Sequence, residues 1–160
     1  MQKPHLLLFL GMVIASSIQP FSPAWADALP VLCIPPLTIT DGQPILTPIT
    51  IDKAEKLAGV KLVIHYDSTQ MTYKTAEKGD AAASFMYVVN DKKPGELIIV
   101  MAGAKGISGK DISLITLKFE VVVSEKTDSS SQTDSRIKII EAELMNEKLE
   151  YIKFEIRGNP

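Results

Sequence analysis

An all-β sandwich is the fold class this sequence predicts, and three observations predict it. Between Leu57 and Val123 the chain alternates strand-length apolar runs with short connections built from Gly, Asp, Lys and Ser. Within those runs the apolar residues recur with period two, which places them on one face of a half-buried strand. About eight or nine such runs follow one another at short spacing, the rhythm of a sandwich rather than of strand–helix–strand units.

The elements follow in chain order. Residues 27–37 (DALPVLCIPPL) are Pro-rich and read as an extended leader. Thr38–Thr40 and Ile45–Ile51 are short strands around the turn Asp41-Gly42-Gln43-Pro44. Pro44 and Pro48 have no N–H to donate, so this region belongs at a sheet edge or a bulge. Asp52–Leu57 (DKAEKL) is too short to bury a helical stripe and reads as a connection. In Lys61–Tyr66, Leu62, Ile64 and Tyr66 share one face, and Lys61, Val63 and His65 share the other. Asp67–Gln70 is a turn, Ser84–Val89 a strand, and Asn90–Gly95 a turn containing Pro94-Gly95.

Leu97–Ala102 (LIIVMA) is apolar on both faces. A strand with one wet face alternates instead. With Leu97, Ile99 and Met101 inward, Ile98, Val100 and Ala102 point outward. Gly103, Gly106 and Gly109 read as turn glycines, because no Lys-Ser/Thr follows to make a phosphate loop. In Leu114–Val123, Ile115, Leu117, Phe119 and Val121 face inward against outward Thr116, Lys118 and Glu120. Ser124–Ser135 is a polar, low-complexity loop. Glu141–Glu150 has helical propensity, but alternation on both sides favours a hairpin turning at Asn146-Glu147, leading to a last strand over Ile152–Ile156.

The first residues carry an export signal. Lys3 precedes the apolar run Leu6–Ala15, and Ala24-Trp25-Ala26 is a small-x-small cleavage site, so 1–26 is a predicted signal peptide. The run falls short of the roughly 20 residues that span a bilayer. Cleavage near Ala26 gives a mature chain with no membrane span, secreted or periplasmic, with one domain over 38–157. Removing Lys3 from 17 basic residues leaves 16 against 19 acidic ones, a net charge of −3. That balance excludes a basic footprint for nucleic acid. Cys33 is the single cysteine, so no internal disulfide forms.

Four segments together resemble a cohesin domain, the nine-stranded jelly-roll module of cellulosome scaffolds. ILTPITI (Ile45–Ile51) is similar to the family's early strand, LAGVKLVIHYD (Leu57–Asp67) to its strand ending in Tyr-Asp, GELIIVMAGAKGISG (Gly95–Gly109) to its strand ending in small residues and a Gly-Ser loop, and ISLITLKFEV (Ile112–Val121) to its Leu-Ile-Phe strand. The resemblance implies a non-catalytic receptor for a dockerin, a small calcium-loaded helical domain usually joined to polysaccharide-degrading enzymes. It also implies a polar recognition pair, which falls on Gly59 and Lys61. The family's usual Asn and Asp are absent there, and Lys61 reverses the charge.

The predicted partner-binding face comprises Gly59, Lys61, Val63, His65, Ile98, Val100 and Ala102, extended by Met86 and Val88 where Phe85, Tyr87 and Val89 face the core. A large exposed apolar patch on a monomer marks an interaction site. The alternative is that a loop or the Pro-rich leader covers it. No cofactor and no enzyme activity are predicted: His65 is the one histidine of the mature chain and has no metal set around it. Asp67, Asp80, Asp91 and Asp111 read as turn acids, not as a glycosidase pair. Two other functions stay open, a carbohydrate-binding sandwich using Tyr73, Tyr87 or Tyr151 as a platform, and a self-associating envelope protein.

Overall fold

The computed structural model describes residues 28–35, 37, 43–122 and 137–158. The predicted signal peptide, the predicted Thr38–Thr40 strand, the predicted turn residues Asp41 and Gly42, and the predicted Ser124–Ser135 loop lie outside the described residues.

Two long ribbons organise the fold. β2 (Ile45–Tyr66) and β5 (Glu96–Val121) run antiparallel along almost their whole length, and each contributes to both layers. In one layer, β5 from Ile107 onward pairs with the first half of β2. β3 (Met71–Lys78) flanks β5 on one side, and β1 (Val31–Cys33) with β7 (Glu155–Arg157) flanks β2 on the other. In the other layer, the order is β4 (Met86–Asn90), β5 from Glu96 to Ala102, β2 from Leu57 onward, and β6 (Ile137–Asn146). These are seven strands among the described residues. The expected nine segments are matched only when each long ribbon is divided at its change of layer.

The core forms because alternation holds on the inward side of both layers. Ile45, Ile49 and Ile51, then Leu62 and Ile64, meet Leu97, Ile99 and Met101, then Ile115, Leu117 and Phe119, all buried in one cluster. Tyr66 and Tyr73 pack on the Phe119 ring at centroid distances of 5.2 and 5.9 Å. Tilted and edge-on geometries of this kind suit the quadrupoles of aromatic rings. Burial of Tyr73 pushes its hydroxyl pKa up to about 12. One polar atom sits inside: the Thr47 hydroxyl is buried with no hydrogen-bond partner among the described residues.

Several local expectations are corrected. Asp52–Leu57 is not a connection but part of β2, interrupted by register shifts between Ala54 and Leu57 and again before Gly59. Lys56 there takes φ 52°, the left-handed region, which lets the ribbon change layer without leaving the ladder. Gly103, Gly106 and Gly109 are not turn glycines, since all three lie inside β5. Two of them permit close crossings. A Cβ on Gly103 would stand 2.3 Å from the Phe85 ring, and one on Gly106 2.5 Å from the Lys56 carbonyl. Asp111 likewise belongs to β5, at φ 50°, rather than to a turn.

The leader is woven into the sheet. Val31–Cys33 pairs with both β2 and β7, and Leu32 and Ile34 are core residues. Continued past Cys33, the β1–β2 register sets Pro35 opposite Pro48, and two residues without N–H groups end the ladder. β3 has no counterpart in the predicted strands. Only Met71 and Ala76 of its eight residues are buried, and a bulge between Tyr73 and Thr75 breaks the alternation that would reveal it. The hairpin prediction at the far end holds. β6 turns over Glu147 and Lys148, and Tyr151 bridges back to Met145. The final strand is shorter than expected, at Glu155–Arg157, while Ile152 and Phe154 pack against the core outside it.

Candidate recognition face

The outward side of the layer β4–β5–β2–β6 carries every predicted site residue, set out in rows by the ladder. Met86, Ala102, Gly59 and Met145 form the first row; Val88, Val100, Lys61 and Glu143 the second; Asn90, Ile98, Val63 and Glu141 the third. Glu96, His65 and Lys138 follow as a fourth. The rows arise because the pleat sends alternate residues outward, so neighbours across the ladder stand side by side about 5 Å apart.

This face divides into two halves. The β4–β5 half is apolar and open: Met86 is 79% exposed, Val88 69% and Val100 47%. Ile98 and Val63, half-buried, join it to the centre. Neither the leader nor any other described element covers it, because β1 and β7 pair at the edge of the opposite layer. The inward set Phe85, Tyr87 and Val89 behaves as predicted in part. Phe85 is buried and Val89 half-buried, while Tyr87 lies at the rim and donates its hydroxyl to the Ala76 carbonyl at 2.7 Å.

The β2–β6 half is charged and internally paired. Lys61 Nζ donates to Glu141 Oε1 at 2.5 Å and to Glu143 Oε1 at 3.1 Å. These two hydrogen bonds, Glu141 first, raise its pKa above the ordinary 10.5. Lys61 therefore does not present a free positive charge, since two carboxylates surround one ammonium. His65 Nε2 lies 3.2 Å from Glu96 Oε2, which also accepts from Lys93 Nζ at 3.1 Å. The Lys93 contact chiefly, then His65, holds the Glu96 carboxyl below its usual value.

At the first-row end the face is hollowed into a groove of about 480 Å³. Its floor is made by small residues, Ala58 and Gly59 on β2 and Ala102, Gly103 and Ala104 on β5. Met145, Leu149, Val100 and Lys61 also line it. Leu149 is 76% exposed and takes φ 64°. That left-handed conformation costs a residue with a side chain about 1–2 kcal/mol.

The surrounding tip over-determines it. Asn146 Oδ1 accepts from the Lys148 and Glu150 amides at 2.9 and 3.0 Å, and the Leu149 amide donates to the Asn146 carbonyl at 3.0 Å. The Glu147 amide donates to the Lys56 carbonyl at 3.1 Å, and Lys56 Nζ pairs with Glu147 Oε1 at 3.2 Å. Gly106 passes beside that same carbonyl, so the glycine-rich part of β5 seats the tip.

Sequence reasoning missed Glu141, Glu143, Met145 and Leu149. The first three share an alternating phase on β6, a readable signal, but Lys61, the partner of Glu141 and Glu143, lies 80 and 82 residues from them along the chain. Leu149 has no sequence signal, because Asn and Gly are the residues that usually mark a left-handed turn position. The proposed aromatic platform does not form: Tyr73 packs on Phe119, the Tyr87 hydroxyl is engaged, and Tyr151, 71% exposed, stands at the hairpin on the opposite edge of the layer from β4.

The described residues form a sandwich with one apolar sheet face that none of them covers. Residues 38–149 match the cohesin domain model, and the chain belongs to the cohesin family, whose members are non-catalytic binding modules. Among curated proteins none matches. Solved structures confirm the jelly-roll sandwich. A non-cellulosomal cohesin from the archaeon Archaeoglobus fulgidus matches with TM-score 0.65 at 20% identity, covering 82% of this chain and 88% of that one. The sixth cohesin of Acetivibrio cellulolyticus scaffoldin B, solved with a Cel5 dockerin, matches with TM-score 0.62 at 15% identity over 82% and 96%. A Clostridium thermocellum OlpA cohesin–dockerin complex gives 0.63 at 16% over 81% and 96%.

Proposed function

We propose that this chain is an exported protein-recognition module that binds a dockerin-like, calcium-loaded helical domain across the outward face of β4, β5, β2 and β6. The observation that carries this reading is the open apolar half, Met86, Val88, Ile98, Val100 and Val63, contiguous with the internally paired Lys61 cluster. Exposed apolar area of this kind gives a partner something to desolvate, and the paired charges fix register at small energetic expense. Two of the similar cohesin structures are complexes with dockerins, which supports the partner class. The polysaccharide-degrading setting follows from that partner class, and export from the predicted signal peptide. No helix among the described residues is long and apolar enough to cross a membrane.

A carbohydrate-binding reading is weaker, because the three tyrosines do not make a platform. The test is titration of the mature chain with calcium-loaded dockerin domains, repeated with chelator, for wild type and Val100→Asp. A charge in a desolvated interface centre weakens binding by at least about 30-fold, more than about 2 kcal/mol. Binding that survives Val100→Asp in a folded variant contradicts the reading, as does the absence of binding by the wild-type chain.

A further inference from the structure

We infer that β4 is a pairing edge, and that a second copy of this chain adds to it antiparallel, β4 against β4, in a reversible dimer. The pairing uses the margin of the layer and not its outward face, so it stands apart from the dockerin reading.

The strands at the margins of the two layers are β3, β7, β4 and β6. An unpaired edge is a template for another strand unless something blunts it. Three of the four are blunted. β3 carries Lys74 and is bent by the bulge between Tyr73 and Thr75. β7 is 3 residues long, with Glu155 and Arg157 at its ends. β6 carries Lys138, Glu141 and Glu143, and the returning chain covers its far end, where the Ile152 amide donates to the Leu144 carbonyl at 2.9 Å. β4 has none of these protections. Its sequence MYVVN holds no charge and no Pro, and its register with β5 is unbroken from Met86 to Asn90. Among the described residues β5 is its one strand partner.

The edge is also held ready. Lys78 Nζ donates to the Ala83 and Phe85 carbonyls at 2.6 Å each, which fixes the connection into β4. The Tyr87 hydroxyl ties the strand itself to the Ala76 carbonyl of β3. Pairing therefore orders little that is not already ordered.

The pattern of β4 is self-complementary, which selects a second copy as the occupant. In a twofold antiparallel pair centred on Val88, Val88 meets Val88, Met86 meets Asn90 and Tyr87 meets Val89, with no like charges opposed. The antiparallel sense also brings Lys92 of one copy to the strand end where Asp80 of the other stands. Outward residues stay outward in this register, so four strands from each copy join in one sheet with both outward faces on the same side. Two strands of 5 residues bury less than a standard interface of roughly 1,600 Å², so the dimer is weak and reversible.

Sedimentation velocity of the mature chain from about 1 μM to 1 mM tests this. The edge predicts a mass that rises from monomer to dimer across that range. Val88 is 69% exposed, so charged variants there keep the fold. Val88→Lys and Val88→Asp each set like charges against one another on the twofold axis and weaken dimerisation at least about 10-fold. An equimolar mixture of the two variants restores a dimer with one copy of each. Val100→Asp, one strand in from the edge, changes dimerisation less than about threefold. In the wild-type dimer, isotope-filtered NOEs connect the Met86 methyl of one copy to the Asn90 side chain of the other. A wild-type chain that stays monomeric to about 1 mM overturns the inference. So does a dimer that Val100→Asp abolishes, a mixture that fails to recover, or a dimer without the Met86–Asn90 NOE.

Discussion

The two layers of this sandwich are built on the same ribbons, yet their outer faces differ in kind. Outside β3, β5 and the first half of β2, the rows read Thr72 with Glu120, Thr75 with Lys118 and Leu46, and Glu77 with Thr116 and Pro48. Lys74 and Glu120 add an ion pair at 2.8 Å. Outside β4, β5 and the second half of β2, the corresponding rows carry Val88 with Val100 and Asn90 with Ile98 and Val63. One pair of strands thus presents a wet face at one end and an apolar face at the other. Folding needs only the inward residues, and the apolar outer rows are what the proposed recognition role would use.

Substitutions at matched positions break or sharpen this contrast. The largest effect is expected where both layers depend on one residue. Phe119→Ala removes the ring on which Tyr66 and Tyr73 pack and should cost about 3–5 kcal/mol in chemical denaturation. Gly106→Ala comes next. Its methyl meets the Lys56 carbonyl, so a loss of about 1–3 kcal/mol is expected, together with weaker partner binding because the Leu149 tip is displaced. Thr47→Val should raise stability by about 1 kcal/mol, since it replaces an unpartnered buried hydroxyl with a methyl of similar shape, and leave binding unchanged.

The smallest effect is in the pH profile. Tyr73 has its pKa raised from 10.0 to about 12, so its contribution is intact below pH 10.0 and is lost as pH rises through about 12. Tyr73→Phe should flatten that alkaline loss. Glu96 behaves in the opposite sense. Its lowered pKa gives stability present above the ordinary 4.5 and lost as pH falls through the folded value, a slope that Glu96→Gln removes.

The difference between the faces was legible where alternation is regular. Lys61–Tyr66, Leu97–Ala102 and Ile115–Val121 sort by face from period two alone, and their core assignments hold. It was illegible where the backbone departs from that period. Bulges hide β3 and disguise Asp52–Leu57 and Gly103–Gly109 as connections, because the residues that permit a close crossing are the same residues that make turns. The candidate site shows the same division. Val63, Val100 and Met86 could be read from their strands, whereas the pairing of Lys61 with Glu141 and Glu143 depends on register between distant strands. The charge reversal at Lys61 therefore changes meaning. In sequence it is a departure from the family's polar pair, and in the folded chain it is the centre of a compensated cluster.

The central claim is that one outer face, and not the other, meets the partner. Cross-saturation NMR of the methyl-labelled mature chain bound to a calcium-loaded dockerin domain tests it most directly. The account predicts loss of signal at Met86, Val88, Ile98, Val100, Val63, Met145 and Leu149, with Leu46 and the methyls of Thr72, Thr75 and Thr116 unaffected. Saturation of the Leu46, Thr75 and Thr116 methyls, with the Val100 and Val88 methyls untouched, would contradict it.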